Sequence, residues 1–209
     1  MRRISTFLIT AVAATTAWFL SAGPALAYPP TPPSASTAAT ELASLTVKAE
    51  GSMTGYSRDL FPHWIIQSGT CDTREEVLKR DGTGVTVDSS CHPTAGKWYS
   101  VYDSTWITDS SGIDIDHIVP LAEAWKSGAN AWTTAKRQEF ANNLTISQLI
   151  AVSASSNRSK GDSDPSAWKP PNTSVHCIYA REWIWVKYTY KLSLQSAEKT
   201  ALQQMLGTC

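Results

Sequence analysis

The sequence predicts an exported α+β domain that is cross-linked by two disulfide bonds. Segments with helical caps alternate with short β-prone runs, a pattern typical of helices that pack around a small antiparallel sheet. The chain has four cysteines, an even number, and all of them follow an N-terminal segment with the features of an export signal. The chain has 18 basic and 18 acidic residues, which excludes a global basic character.

Residues 1–27 are predicted to be a signal peptide. Arg2 and Arg3 precede an apolar run over residues 7–20, and residues 25–27 have the small-residue pattern of a cleavage site. An uncleaved membrane anchor is the alternative, but the run is short and interrupted by threonine and alanine. Cleavage would leave 209 − 27 = 182 residues, the size of one domain. We therefore expect an extracellular protein that does not associate with the membrane after cleavage.

Residues 28–40 are rich in proline, serine, threonine and alanine. Such a composition buries little apolar surface, so it predicts a flexible leader. The folded domain is then expected over residues 41–209, beginning with a short helix over residues 41–50.

The cysteines predict two disulfides in an oxidising compartment. They are Cys71, Cys91, Cys177 and Cys209. Three pairings are open, and local closure favours joining the first to the second and the third to the fourth. A zinc site that also used His92 and His176 is the alternative, although the spacings match no usual zinc motif.

A helix is predicted directly after Cys71. Asp72 and Glu75 have the spacing of a capping box, and the helix should end near Asp81. Residues 85–87 alternate like a strand. Residues 96–107 are aromatic and β-prone, which predicts one or two strands around a turn at residues 103–104.

Residues 113–119 alternate apolar and polar side chains with a period of two. This pattern predicts a half-buried strand, which Pro120 ends. Three ionisable side chains lie near the end of this strand: Asp114, Asp116 and His117. Further helices are expected over residues 121–126, 133–142, 175–192 and 196–206, with a strand over 149–152 and a helix that starts at 153–158.

Two short motifs carry the chemical interpretation, and each is unspecific by itself. Adjacent Asp116 and His117 are a common surface pair, and residues 157–162 (Asn-Arg-Ser-Lys-Gly-Asp) resemble an ordinary polar turn. In combination they are far more specific. A strand that ends in Asp-His-Ile-Val-Pro is followed by an intervening segment, a second strand and Asn-Arg-x-Lys-Gly.

This layout resembles the HNH nucleases. The similarity is greatest to a group of secreted HNH-family proteins related to the nuclease half of GmrSD-type restriction enzymes, and it covers roughly residues 50–209. The positions that carry it are residues 71–74, 96–98, 114–121, 125–129, 140–142, 157–162, and Pro165 with Trp168.

The resemblance implies a ββα-metal core that binds one divalent ion, Mg²⁺ or Mn²⁺. It makes Asp116 and Asn157 the metal ligands and His117 the general base, and it places Asn142, or its neighbour Asn143, at the central asparagine position. Many HNH proteins have a second histidine where this chain has Asn157, which still supplies an oxygen ligand. A backbone carbonyl or an asparagine side chain is expected to hold the tautomer of His117.

Lys160, Arg158 and Arg74 are the candidates for fixed positive charges that bind phosphate and stabilise the transition state. Asp114 shares a strand face with Asp116, so it is either an auxiliary ligand or orienting group, or a solvated carboxylate. Glu123 has the same two alternatives.

Together these features predict a secreted, monomeric, metal-dependent endonuclease, with DNA favoured over RNA as its substrate. The first alternative is a non-catalytic secreted nucleic-acid-binding or effector protein on the same scaffold. The second is a metal-dependent phosphodiesterase that acts on small nucleotides.

Overall fold

A computed structural model describes residues 29–209 and shows an α+β fold with two disulfides, as predicted. The predicted signal peptide lies outside the described residues. The helices are α1 (Ala35–Ser44), α2 (Thr73–Asp81), α3 (Leu121–Lys126), α4 (Thr134–Ala141), α5 (Ala154–Lys160), α6 (His176–Tyr190) and α7 (Ser196–Leu206). The strands are β1 (Ile66–Ser68), β2 (Cys71–Asp72), β3 (Gly82–Val87), β4 (Pro93–Ser100), β5 (Thr105–Ile107), β6 (Ile113–His117) and β7 (Leu149–Ser153).

Helix α1 begins six residues before the helix predicted at residue 41. The side chain of Ser34 accepts a hydrogen bond from the Thr37 amide and caps the helix, while Ala38 and Leu42 are buried in the core. The proline-rich residues before α1 are also held against the domain, because the Arg181 guanidinium of α6 donates hydrogen bonds to the carbonyls of residues 32 and 33. The prediction of a flexible leader is therefore wrong for the residues that form α1.

Helix α2 has the boundaries that its capping box predicts. The Asp72 carboxylate accepts from the Glu75 amide at 2.9 Å, and the Glu75 carboxylate accepts from the Asp72 amide at 2.8 Å. The disulfide Cys71–Cys91 closes this region at a Cα–Cα distance of 5.1 Å. Both predicted cysteine pairings are confirmed, since Cys177 is bonded to the last residue of the chain.

Strands β3, β4 and β5 form an antiparallel sheet in that order. The chain turns between β4 and β5 as predicted, with Ser104 at a φ of +58°. Trp98 of β4 is buried and donates its indole N–H to the Leu78 carbonyl of α2, which fixes the helix on the sheet. Tyr102, in the same turn, points into the interior and is also buried.

Strands β6 and β7 form a separate antiparallel pair, and α5 follows β7 directly, which makes a ββα unit. In its register, His117 faces Leu149 and Asp116 faces Ile150. Ile113 and Ile115 join the smaller of two apolar clusters, whereas the other strand face is covered by α5. The expectation of a half-buried strand is wrong at residues 116 and 117, since both side chains are buried.

The larger apolar cluster lies among α1, α3, α4, α6 and α7. Helix α6 passes through it and buries Tyr179, Trp183 and Ile184. Burial of large aromatic side chains supplies much of the hydrophobic free energy of such a core. Within residues 29–209, no helix has the length and apolar character needed to cross a membrane.

Candidate active site

The ββα unit brings the two sequence motifs together. Asp114 and Asp116 share one face of β6, because side chains two residues apart on a strand point the same way. Helix α5 lies on this face and supplies Asn157 and Lys160. The amide nitrogen of Asn157 donates to Asp114 Oδ2 at 3.1 Å, and Lys160 Nζ donates to Asp116 Oδ1 at 2.8 Å.

The carboxylate of Asp116 is held at both oxygens. Lys160 bonds one oxygen, and the Tyr102 hydroxyl donates to the other at 2.6 Å. Burial raises the pKa of Asp116, and the bonds from the ammonium and the phenol oppose that effect. The same burial, together with the nearby carboxylate, raises the pKa of Tyr102 well above its usual value.

The ring of His117 has a defined tautomer. Its Nε2 lies 2.9 Å from the Ala141 carbonyl oxygen, which only accepts hydrogen bonds, so Nε2 carries the proton and Nδ1 is left as the basic nitrogen. The indole of Trp64 stacks on the ring at 5.7 Å between centroids. Burial lowers the pKa of His117 to about 3, which keeps the imidazole neutral near pH 7.

Asn142 holds the backbone around the carbonyl that bonds His117. Its amide nitrogen donates to the carbonyls of Pro62 and Gln138, both at 2.7 Å. Its amide oxygen accepts from the Thr73 hydroxyl at 2.7 Å and from the Ile65 amide at 3.2 Å. The neighbouring Asn143 donates to Glu139 and to the Tyr190 hydroxyl instead. Asn142 therefore connects α4, α2 and the segment that carries Trp64.

The predicted ligands and base line one polar cavity of about 190 Å³. Its lining includes Asp116, His117, Asn157, Arg58, Arg158 and Asp162. Gly161, with a φ of +53°, ends α5 at the edge of this cavity. A larger cavity of about 520 Å³ lies between α1 and α6 and contains none of the predicted site residues.

Two of the predicted phosphate-binding residues are occupied by bonds within the protein. Lys160 is completely buried, and its ammonium donates hydrogen bonds to Asp116 and, at 2.7 Å, to the His117 carbonyl, so it cannot reach a phosphate. Arg74 donates to the backbone carbonyls of residues 110 and 113 and joins α2 to the start of β6. The prediction that Lys160 and Arg74 bind phosphate is therefore wrong. Arg158 is exposed, lines the cavity and lies 3.5 Å from Asp114.

Glu123 belongs to a separate buried ion-pair network. It accepts from Lys187 at 2.8 Å and lies 3.0 Å from Lys126. It is buried and does not line the cavity, so neither the prediction of an auxiliary site residue nor that of a solvated carboxylate is correct. Its carboxylate also clusters with Glu50 and Asp164, with oxygens within 4.8 Å of one another. The two lysines already neutralise much of this acidic charge, which makes an ion-pair network the simpler interpretation.

Three further residues lie at the site and were not predicted from the sequence. Tyr102 contacts Asp116, Trp64 stacks on His117, and Arg58 lines the cavity. The aromatic residues had no signal that separates them from core tryptophans and tyrosines. Arg58 and Trp64 precede the motifs, and their segment reaches the site through the long-range bonds that Asn142 makes.

The fold and this arrangement are those of a ββα-type nuclease family. Residues 72–205 match the family described as "GmrSD restriction endonucleases, C-terminal domain". The match spans more than half of the chain, so the protein belongs to this family, and the resemblance seen in the sequence is confirmed. Membership supports a nuclease-related function and a nucleic-acid substrate.

A protein of Arthroderma benhamiae, described as "Uncharacterized secreted protein", is 59% identical over 181 residues. The alignment covers 87% of this chain and 89% of that relative. The chain is accordingly a secreted protein, and its two disulfides are typical of proteins in oxidising compartments. No solved structure is significantly similar to it.

Proposed function

We propose that this protein is a secreted endonuclease that hydrolyses phosphodiester bonds, with His117 as the general base and a divalent cation held by Asp116 and Asn157. The observation that carries the proposal is the bond from His117 Nε2 to the Ala141 carbonyl. It leaves Nδ1 as an unprotonated nitrogen in the ring that lines the cavity together with Asn157.

In the proposed reaction, His117 Nδ1 takes a proton from a water molecule as the water oxygen attacks phosphorus. The bond from phosphorus to the 3′ oxygen breaks, and that oxygen takes up a proton from solvent. The products are a 5′-phosphate and a 3′-hydroxyl. The stacked Trp64 and the Ala141 carbonyl fix the ring, so little reorganisation is needed during the proton transfer.

The side chains fit a hard divalent cation. Asp116, Asn157 and the auxiliary Asp114 present oxygen atoms, the ligand type that suits Mg²⁺ or Mn²⁺. Among the described residues, no donor bonds the amide oxygen of Asn157, and a carboxylate keeps free lone pairs after two hydrogen bonds. A cation held by these residues would offset the charge that develops on the phosphate and the leaving oxygen.

A plasmid-nicking assay with the oxidised full chain tests the proposal. Wild type should nick the plasmid with Mg²⁺ or Mn²⁺ and lose this activity in EDTA. His117→Ala should lower the rate by at least about 100-fold, the usual contribution of a general base. His92→Ala is the matched control, because that histidine is exposed and lies beside the Cys91 disulfide. Near wild-type activity in His117→Ala would contradict the proposed mechanism.

A second candidate function has one observation in its favour. Lys160 and Tyr102 already donate hydrogen bonds to both oxygens of Asp116, so the protein offsets the negative charge of that carboxylate without a metal ion. A non-catalytic nucleic-acid-binding protein would have this property. Binding of plasmid DNA that is unaffected by EDTA, with no nicking under any divalent metal, would favour this candidate. Comparing a dinucleotide with long DNA tests the third alternative, a phosphodiesterase on small nucleotides.

A further inference from the structure

Arg58 lies in a short 3-10 turn, Arg58–Leu60, before the residues that match the family. Two side chains fix the turn and the residues after it, one within α4 and one at the C-terminal end of that helix. Arg137 donates to the Leu60 carbonyl at 2.8 Å, and Asn142 donates to the Pro62 carbonyl. The segment is therefore held against the body of the domain, with Arg58 at the cavity.

The guanidinium of Arg58 is oriented by His63. The Nδ1 of His63 lies 2.8 Å from the Phe61 carbonyl, so this nitrogen is the donor and Nε2 is the acceptor. Arg58 Nε lies 3.4 Å from that Nε2. This contact leaves the two terminal nitrogens of Arg58 available, and within residues 29–209 no carboxylate lies within ion-pair distance of them.

The other cations near the site face carboxylates. Lys160 is bonded to Asp116 and has no exposed surface. Arg158 is exposed, but its Nε lies 3.5 Å from Asp114, so that carboxylate offsets part of its charge. Asp162 adds a second acidic group to the cavity lining beside Asp116, so the protein itself offers little net positive charge to a phosphate there.

We propose that Arg58 binds a phosphate group of the nucleic-acid substrate beside the bond that is cleaved, in the role that the sequence had suggested for Lys160. The inference rests on the proposed function. A guanidinium whose two terminal NH2 groups are free can donate to two oxygens of a phosphate in a bidentate manner, which a lysine ammonium does not reproduce. Arg58 is thus a substrate-binding residue supplied from outside the family domain.

Fluorescence anisotropy tests this inference with the full chain and a short fluorescein-labelled DNA duplex, in EDTA so that no cleavage occurs. The variants are Arg58→Gln and Arg58→Lys. Lys191→Gln is the control, because it removes the same charge from an exposed residue that lines a different cavity. Arg58→Gln should weaken binding about tenfold and reduce the slope of log K against log salt by about 1, the effect of one lost phosphate contact.

Arg58→Lys should restore the salt slope and only part of the affinity, and the control should match wild type. In nicking assays with metal, Arg58→Gln should raise KM more than it lowers kcat. If wild type nicks DNA but Arg58→Gln keeps the wild-type salt slope and KM, the inference fails while the proposed function stands. If wild type binds DNA without nicking it, the proposed function fails, and the anisotropy results alone decide the role of Arg58.

Discussion

Replacing Lys160 with methionine removes a buried ammonium and leaves its partners in place. Lys160 is 0% exposed and donates to Asp116 Oδ1 at 2.8 Å and to the His117 carbonyl at 2.7 Å. Removing one partner of a buried ion pair costs about 3–5 kcal/mol, because the remaining charge is uncompensated. We therefore expect Lys160→Met to lower the free energy of unfolding by about 4 kcal/mol, and Tm by about 8–16 °C for a domain of this size.

Urea unfolding of the oxidised protein measures this loss, and Lys191→Met is the control at an exposed lysine. Adding Asp116→Asn to Lys160→Met should recover part of the stability, since it removes the uncompensated charge. Without Lys160, the pKa of Asp116 rises further above its unfolded value, so the folded state binds more protons. The deficit should therefore shrink as pH falls from 7 towards 4. If Lys160→Met lowers the free energy of unfolding by less than about 1 kcal/mol at pH 7, then Lys160 and Asp116 do not form a buried ion pair.

Two further perturbations test the framework around the site. Asn142→Ala removes four side-chain hydrogen bonds, so it should cost about 3–4 kcal/mol in urea unfolding and slow plasmid nicking; a stable, fully active variant would contradict its positioning role. Replacing both cysteines of one disulfide with serine should cost about 3.3 kcal/mol for Cys71–Cys91 and about 3.7 kcal/mol for Cys177–Cys209, because the loops span 20 and 32 residues. Urea midpoints in the reverse order would contradict this.

Local signals in the sequence predicted most elements correctly. The Asp72–Glu75 capping box specifies the start of α2, and Pro120 follows β6 within three residues of its end. Helices α3 and α7 have the predicted boundaries. These signals act between residues close in the chain, so they are legible without knowledge of the tertiary structure.

The contacts that decide the roles of charged residues act over long distances in the chain. Lys160 and Asp116 are 44 residues apart, and Asn142 and Pro62 are 80 apart. A lysine in a polar turn gives no sign that it will be buried under a strand. Helix α1 starts early for the same reason, since its apolar residues are buried only once α6 is present. The sequence therefore predicted which residues approach His117 better than it predicted what each one bonds.

The most direct test of the proposed site is a crystal structure of the oxidised protein soaked in Mn²⁺, with the ion located by anomalous scattering. We predict one ion at about 2.0–2.2 Å from oxygens of Asp116 and Asn157, beside His117. An ion found only at Glu50, Glu123 and Asp164, the acidic cluster with oxygens within 4.8 Å, would contradict it.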